Sequence, residues 1–119
     1  MKSKTGGLRY NELKPEWGLV DFDALLSMVH VLMYGKEKYD AHNWKKGLPF
    51  TTTIESMLRH IYAFLHGEDI DKESGLPHTW HIMCNAMFLS YYYMYFKDEM
   101  DDRFKDEKKS NKEQEQKSS

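Results

Sequence analysis

Apolar residues recur at helical spacing over three stretches of the chain. The first holds Phe22, Leu25, Leu26, Val29, Leu32 and Met33, the repeat of an amphipathic helix face. Asp21 stands where its carboxylate can accept a backbone N–H of the first turn, so a helix is expected from Asp21 to about Tyr39, with Gly35 as a point of interruption. Asn, Gly and Pro between Asp40 and Pro49 mark a loop. A second helix follows, capped by Thr51 or Thr52, with Ile54, Leu58, Ile61 and Leu65 as its core stripe. It should end near His66, leaving Gly67 at the C′ position that glycine favours.

The third helix is expected to start at Pro77, whose missing N–H is no loss in a first turn, and to run to about Met100. Its middle is apolar all round: Trp80, Ile82, Met83, Met87, Phe88, Leu89 and the run Tyr91 to Phe96 cover more than one face. That exceeds what a helix packed on two partners needs, and three helices alone supply a thin core. The expected fold class is therefore all-α. It is a small helical bundle over residues 21–104, preceded by an irregular arm over 1–20 with Gly6, Gly7, Pro15 and Gly18, and completed by oligomerisation as a homodimer or larger. Residues 105–119 are nearly all polar and are expected to be disordered.

Composition narrows the partners. With 119 residues, a net charge of −2 and a mean hydropathy of −0.77, the chain is one soluble domain with a polar appendage. Basic and acidic residues nearly cancel, which argues against a nucleic acid polymer as partner, whereas a nucleotide needs only a local positive patch. No run approaches the roughly 20 apolar residues that span a bilayer. The single cysteine, Cys84, has no internal partner for a disulfide, and no signal segment precedes the chain's helices, so a reducing cytoplasmic setting is expected.

Chemistry concentrates between Glu55 and Asn85. Four of the six histidines lie there, His60 and His66 on the second helix and His78 and His81 on the third, around the acidic loop Glu68-Asp69-Ile70-Asp71-Lys72-Glu73. Such groups bind divalent metals, hold phosphates through them and exchange protons near neutral pH. Polar stripes run beside the apolar ones: Asp23, Ser27, His30, Tyr34 and Glu37 on the first helix, Glu55, Arg59, Tyr62 and His66 on the second, His78, His81 and Asn85 on the third. Solvated faces are the ordinary meaning of such stripes, yet histidine and asparagine beside so much aromatic surface favour a site on the third helix. His30, between Val29 and Val31, reads as structural. The acidic loop is not an EF-hand, since counting from Asp69 puts Ser74 and Trp80 where glycine and glutamate belong, and no His-Glu-x-x-His, His-Asp pair or Walker-type loop occurs.

The strings Gly-Leu-Arg-Tyr-Asn-Glu-Leu-Lys-Pro from Gly7 to Pro15, Tyr-Gly-Lys-Glu-Lys-Tyr from Tyr34 with Asn43-Trp44, and Leu58-Arg59-His60 through Gly67-Glu68-Asp69-Ile70-Asp71 to Gly75-Leu76-Pro77-His78 resemble the small phage-encoded family named for dATP/dGTP diphosphohydrolase. The resemblance spans about residues 7–95. It implies the all-α nucleoside triphosphate pyrophosphohydrolases typified by MazG, oligomeric bundles that cut a nucleoside triphosphate between the α and β phosphates with magnesium, here in the cytoplasm of a bacterial host. One departure stands out. MazG-type helices carry Glu-x-x-Glu and Glu-x-x-Asp, where this chain has Glu55 with Arg59-His60 and His78-x-x-His81. Either Glu37, Glu55, Asp69 or Asp71 holds Mg2+ with histidines in supporting or proton-transfer roles, or the ion is a softer one such as Mn2+, or the site binds without cutting.

In the hydrolytic reading, His78 or His81 positions or deprotonates the attacking water, His60 belongs to the same catalytic group, and Arg59, Lys38, Arg9 and Lys14 stabilise the departing pyrophosphate. Trp17, Trp44, Tyr10 and Tyr39 are rings for stacking a purine, with core packing as the competing role of the two tryptophans. Asn11, Asn43 and Asn85 complete the substrate-binding set, since each amide offers both donor and acceptor. The alternative function is a non-catalytic nucleotide-binding phage protein that sequesters a host-defence nucleotide signal. A purely structural interaction module explains the aromatic third helix but not the histidine and carboxylate constellation.

Overall fold

A computed structural model describes residue 6 and residues 13–104; the expectations for Arg9, Tyr10, Asn11 and the polar tail lie outside the described residues. Among those residues the regular elements are helical: α1 spans Phe22–Lys38, α2 spans Phe50–Leu65 and α3 spans His78–Met100, with short 3₁₀ turns at Trp17–Leu19 and Asn43–Lys46. The architecture is all-α, relieved only by an isolated antiparallel bridge between Ile70 and Pro77. The central element is α3, which packs along α2, crosses α1 and touches the Asn43–Lys46 turn.

Helix ends follow local chemistry with instructive differences. The Asp21 carboxylate accepts the Ala24 N–H at 2.9 Å, as its position predicts. Gly35 does not interrupt α1; its carbonyl accepts the Tyr39 N–H at 2.7 Å and continues the ladder to the end. Neither Thr51 nor Thr52 caps α2, whose N-cap position is Pro49, two residues before Thr51. Thr51 instead gives its N–H and its hydroxyl to the Asp102 carboxylate at 2.9 and 2.5 Å. An acid from beyond the end of α3 thus satisfies a donor that a local cap would have taken, and it ties the two helix ends together. Within α3, Phe96 departs from helical geometry with φ −134° and kinks the last turn.

At the other end of α2 the chain leaves through a Schellman motif. Gly67 takes φ +93°, its N–H bonds the Phe64 carbonyl at 3.0 Å, and the Glu68 N–H bonds the Ala63 carbonyl at 3.0 Å, the pairing that a glycine at C′ makes possible. This fixes the direction in which Glu68 leaves the helix.

The core is small. Val31, Phe50, Cys84 and Tyr92 are its buried apolar residues, and Ser27, Thr53, His78 and His81 are buried beside them. The expected α2 stripe is not buried in the single chain: Leu58 and Leu65 are 55% and 77% exposed, and Ile61 is exposed as well. The residues of α2 that are buried, Phe50 and Thr53, lie at its start. In α3 the aromatic excess is real, with Tyr93, Met94 and Tyr95 facing outward.

Gly47 ends the Asn43–Lys46 turn at φ +97° and ψ 149°, a region essentially reserved for glycine, and a β-carbon there would meet Met100 Cε at 2.8 Å. The methionine tip can swing away, but the backbone cannot. Gly47→Ala is expected to lower the unfolding free energy by about 1–3 kcal/mol, measured by urea denaturation; an unchanged midpoint would show that the turn relaxes at no cost.

Candidate functional site

The chain from Gly67 to Pro77 folds back on itself so that a carboxylate loop meets the first turn of α3. Asp71 N–H bonds the Leu76 carbonyl at 2.9 Å, Gly75 N–H bonds the Asp71 carbonyl at 2.8 Å, and His78 N–H bonds the Asp69 carbonyl at 2.9 Å. Asp71 Oδ2 accepts both the Ser74 amide at 2.9 Å and the Ser74 hydroxyl at 2.7 Å. Within this closed loop His78, His81, Asp71 and Glu68 face His60 from α2.

The contacts read as a chain of proton positions. Ser74 Oγ lies 2.7 Å from His81 Nε2. An ionised carboxylate only accepts, so the Ser74 proton points to Asp71 and His81 Nε2–H donates to Ser74, which leaves the basic lone pair of His81 on Nδ1. His78 Nε2 lies 2.9 Å from Glu68 Oε2 and donates to it by the same reasoning. Its Nδ1 then faces His60 Nδ1 at 2.9 Å, while the rings of His60 and His81 stack at 4.4 Å and 2°.

Electrostatics favour the neutral form of His60 and His81. Burial lowers the pKa of His60, reinforced by the neighbouring His81. Burial likewise lowers that of His81, with Asp71 pulling the other way and His78 adding to the fall. Burial acts to raise the Asp71 carboxyl, but the two hydrogen bonds from Ser74 outweigh it, with His81 and His60 adding to the fall whenever they carry a proton, so its pKa is lowered. Neutral imidazoles beside a fixed carboxylate are suited to accepting a proton or ligating a metal. His60, Asp71 and His78 each offer a ligand atom within 4.8 Å of the others.

His60, Asp71 and His81 of this cluster line one wall of a cleft of about 810 Å³ bounded by α1, the 39–48 segment, α2, the acidic loop and α3, with His78, Glu68 and Ser74 outside its lining. Lys38, Tyr39, Asn43, Trp44, His60, Asp71, His81 and Asn85 all line it. Trp44 packs one face on Phe88 at 4.9 Å and meets Tyr91 edge-on at 4.9 Å, so packing and cleft lining coincide in one ring. Asn85 Nδ2 donates to the His81 carbonyl at 2.9 Å, which leaves Oδ1 free to accept. Lys38 is paired with Glu73 at 2.6 Å on the exposed rim, and that contact raises the Lys38 pKa.

Other candidates lie apart. Glu37, Glu55 and Arg59 are exposed and do not line the cleft; Trp17 is 68% exposed and Lys14 is exposed on the preceding segment. Asp69 contributes its backbone carbonyl to His78, with its residue exposed. His30 stacks on Trp80 at 5.5 Å, the structural role its position suggests. Glu68, named in the sequence reading only as part of the acidic loop, and Ser74, given no role there, are both central to the cluster; the signal for Ser74 was its place three residues after Asp71, the spacing at which an Asp side chain bonds a turn.

Cys84 belongs to the back wall of the cleft but is only 1% exposed, and burial pushes its thiol up to about 12. The thiolate is the reactive form, so the native protein should resist a thiol reagent at pH 8 and react stoichiometrically in denaturant. Rapid labelling of the folded protein would mean that the cleft opens to its back wall.

A family model described as dATP/dGTP diphosphohydrolase, N-terminal, matches residues 4–103. A dATP/dGTP diphosphohydrolase of Salmonella phage PMBT28 is 29% identical over 83 residues, covering 70% of this chain and 28% of that protein. The chain thus spans little more than a quarter of the length of the curated relative it matches. No solved structure matches it.

Proposed function

The chain belongs to the family described as dATP/dGTP diphosphohydrolase, N-terminal, and from that premise we propose that its cleft binds a purine deoxynucleoside triphosphate and hydrolyses it to monophosphate and pyrophosphate. The observation that carries this reading is the meeting, in one cleft, of a neutral-imidazole and carboxylate cluster with an aromatic and amide wall. The names of the matching family and of the phage relative, dATP/dGTP diphosphohydrolase, support the substrate class.

Tyr39 and Trp44 supply the apolar faces against which a purine packs, and Asn43 and Asn85 supply the amides that read its edge. Lys38 is a cation at the rim, beside Lys36 and Lys45 of the same lining, and is released from Glu73 when a phosphate replaces the carboxylate. A water oxygen attacks the α phosphorus, the bond from that phosphorus to the bridging oxygen breaks, and pyrophosphate leaves. The water's proton passes to His81 Nδ1, whose opposite edge is anchored through Ser74 to Asp71, and the ionised Asp71 stabilises the imidazolium that forms. A divalent ion, when bound, neutralises triphosphate charge; His60, His78 and Asp71 are the residues placed to hold it. Incubating the protein with each deoxynucleoside and ribonucleoside triphosphate tests the specificity: selective loss of dATP and dGTP is expected, and indifference to base and sugar contradicts it.

The assembly is a homo-oligomer in this reading. Exposed apolar residues on α1 and α2, among them Phe22, Met33, Leu58 and Leu65, support this, because exposed apolar patches mark association surfaces. Leu58→Glu combined with Leu65→Glu is expected to halve the mass in light scattering, or more; a parent protein already monomeric would refute the assembly.

A further inference from the structure

We infer that His60, His78 and Asp71 form a two-histidine, one-carboxylate site for a first-row transition dication, with Glu68 orienting His78 from outside. This deepens the hydrolase reading and rests on it for the ion's purpose, but the site itself is argued from geometry alone. Its three ligands come from α2, the acidic loop and the first turn of α3, and two of them, His78 and Asp71, are held by partners outside the set.

His78 is 3% exposed, and its Nε2–H is committed to the Glu68 carboxylate at 2.9 Å. Its Nδ1 therefore carries a lone pair directed at His60 Nδ1, 2.9 Å away. A carboxylate holding the far nitrogen of a ligating imidazole is the usual support of a protein metal site, because it fixes the tautomer and raises the basicity of the ligand. Asp71 is prepared in a similar way. Its recorded hydrogen bonds fall on Oδ2, from Ser74, leaving Oδ1 as a second donor atom.

The distances suit a shared ion. With metal–nitrogen bonds of about 2.0–2.1 Å, two ligands at right angles stand about 2.9 Å apart and two tetrahedral ligands about 3.4 Å. The three ligand atoms already lie within 4.8 Å of one another, so closing any pair to the tetrahedral separation asks for at most about 1.4 Å of movement. The competing arrangement is one shared proton, with His60 Nδ1–H donating to His78. That pairing satisfies the two rings but makes no use of Asp71, whose carboxylate lies within 4.8 Å of both ring nitrogens.

Donor chemistry selects the ion class. Magnesium takes oxygen ligands in near-ideal octahedral geometry and keeps several waters, whereas imidazole beside carboxylate suits manganese, iron, cobalt and zinc. Glu37 and Glu55, which would supply a harder set, are exposed and outside the cluster.

The test is a titration of the full-length chain with Co2+ alone, without nucleotide, followed by d–d absorption and calorimetry, with Mg2+ in a parallel titration. One Co2+ per chain with visible bands, binding at least about 100-fold tighter than Mg2+, is expected. His60→Ala should abolish the bands, and Glu68→Gln, which leaves all three ligands in place, should weaken binding by about 10–100-fold. Circular dichroism confirms that each variant is folded. The site is overturned if the parent protein shows no stoichiometric Co2+ binding, if Mg2+ binds as tightly, or if the folded His60→Ala protein binds as the parent does. Tight Co2+ binding in a protein that cleaves no nucleotide upholds the site and defeats the hydrolase reading. Cleavage without Co2+ binding does the reverse.

Discussion

Replacing His81 by alanine is expected to lower the turnover of dGTP or dATP by about 10²–10⁴-fold, the span over which a positioned general base acts, with the mass of the assembly unchanged. His81 is singled out because it lines the cleft and because Ser74 and Asp71 hold its Nε2 edge, so its basic atom is defined by its partners. The ring is 8% exposed, and a folding defect must be separated from a chemical one. His81→Gln keeps more of the volume and removes the imidazole; it should lose turnover to the same extent while melting near the parent. Ser74→Ala removes the relay together with the Leu76 N–H contact to the hydroxyl, keeps the imidazole, and should cost less turnover than either. Retained turnover in a folded His81→Ala protein would remove this residue from the mechanism.

Tyr92→Ala is expected to lower the unfolding free energy by about 3–5 kcal/mol, the usual cost of emptying a large aromatic site in a core. Tyr92 is fully buried, packs near Phe88 and Tyr91, and donates its hydroxyl to the Trp44 carbonyl at 2.5 Å. Burial pushes its phenol up to about 12, so the hydroxyl remains a donor throughout the working range. The residue is thus both the largest fully buried side chain and the fastening of the turn that carries Asn43 and Trp44 into the cleft. Tyr92→Phe isolates the second role: it keeps the packing and should cost about 1 kcal/mol from the lost hydrogen bond, with a larger proportional loss in nucleotide affinity. A loss below about 1 kcal/mol for the alanine variant, by chemical denaturation, would show that the core is not centred on α3.

These two residues also show what a sequence can and cannot disclose. Helical periodicity located α1, α2 and α3, and local rules located the Asp21 cap and the Gly67 exit, because those features depend on neighbours a few positions away. The pairing of Thr51 with Asp102 joins residues 51 apart, and no local rule anticipates a cap from another helix. The α2 stripe of Ile54, Leu58, Ile61 and Leu65 has the right period, yet period reveals an apolar face without saying what covers it. The site divides along the same line. His60, His78, His81 and Asp71 stood out by residue type and density, whereas Glu68 and Ser74 acquire their meaning only when the loop folds back on α3. Glu37 and Glu55 had the chemistry of ligands but sit on outward faces, which one polar stripe cannot distinguish from an inward one.

The central claim is that this cleft cuts a purine deoxynucleoside triphosphate between its α and β phosphates. The most direct measurement is phosphorus NMR of dGTP incubated with the full-length chain, first in magnesium and then in manganese. The account predicts dGMP and pyrophosphate in equal amounts, with no diphosphate intermediate. Recovery of intact dGTP from folded protein under both ions would contradict it and identify the cleft as one that sequesters a nucleotide without cleaving it.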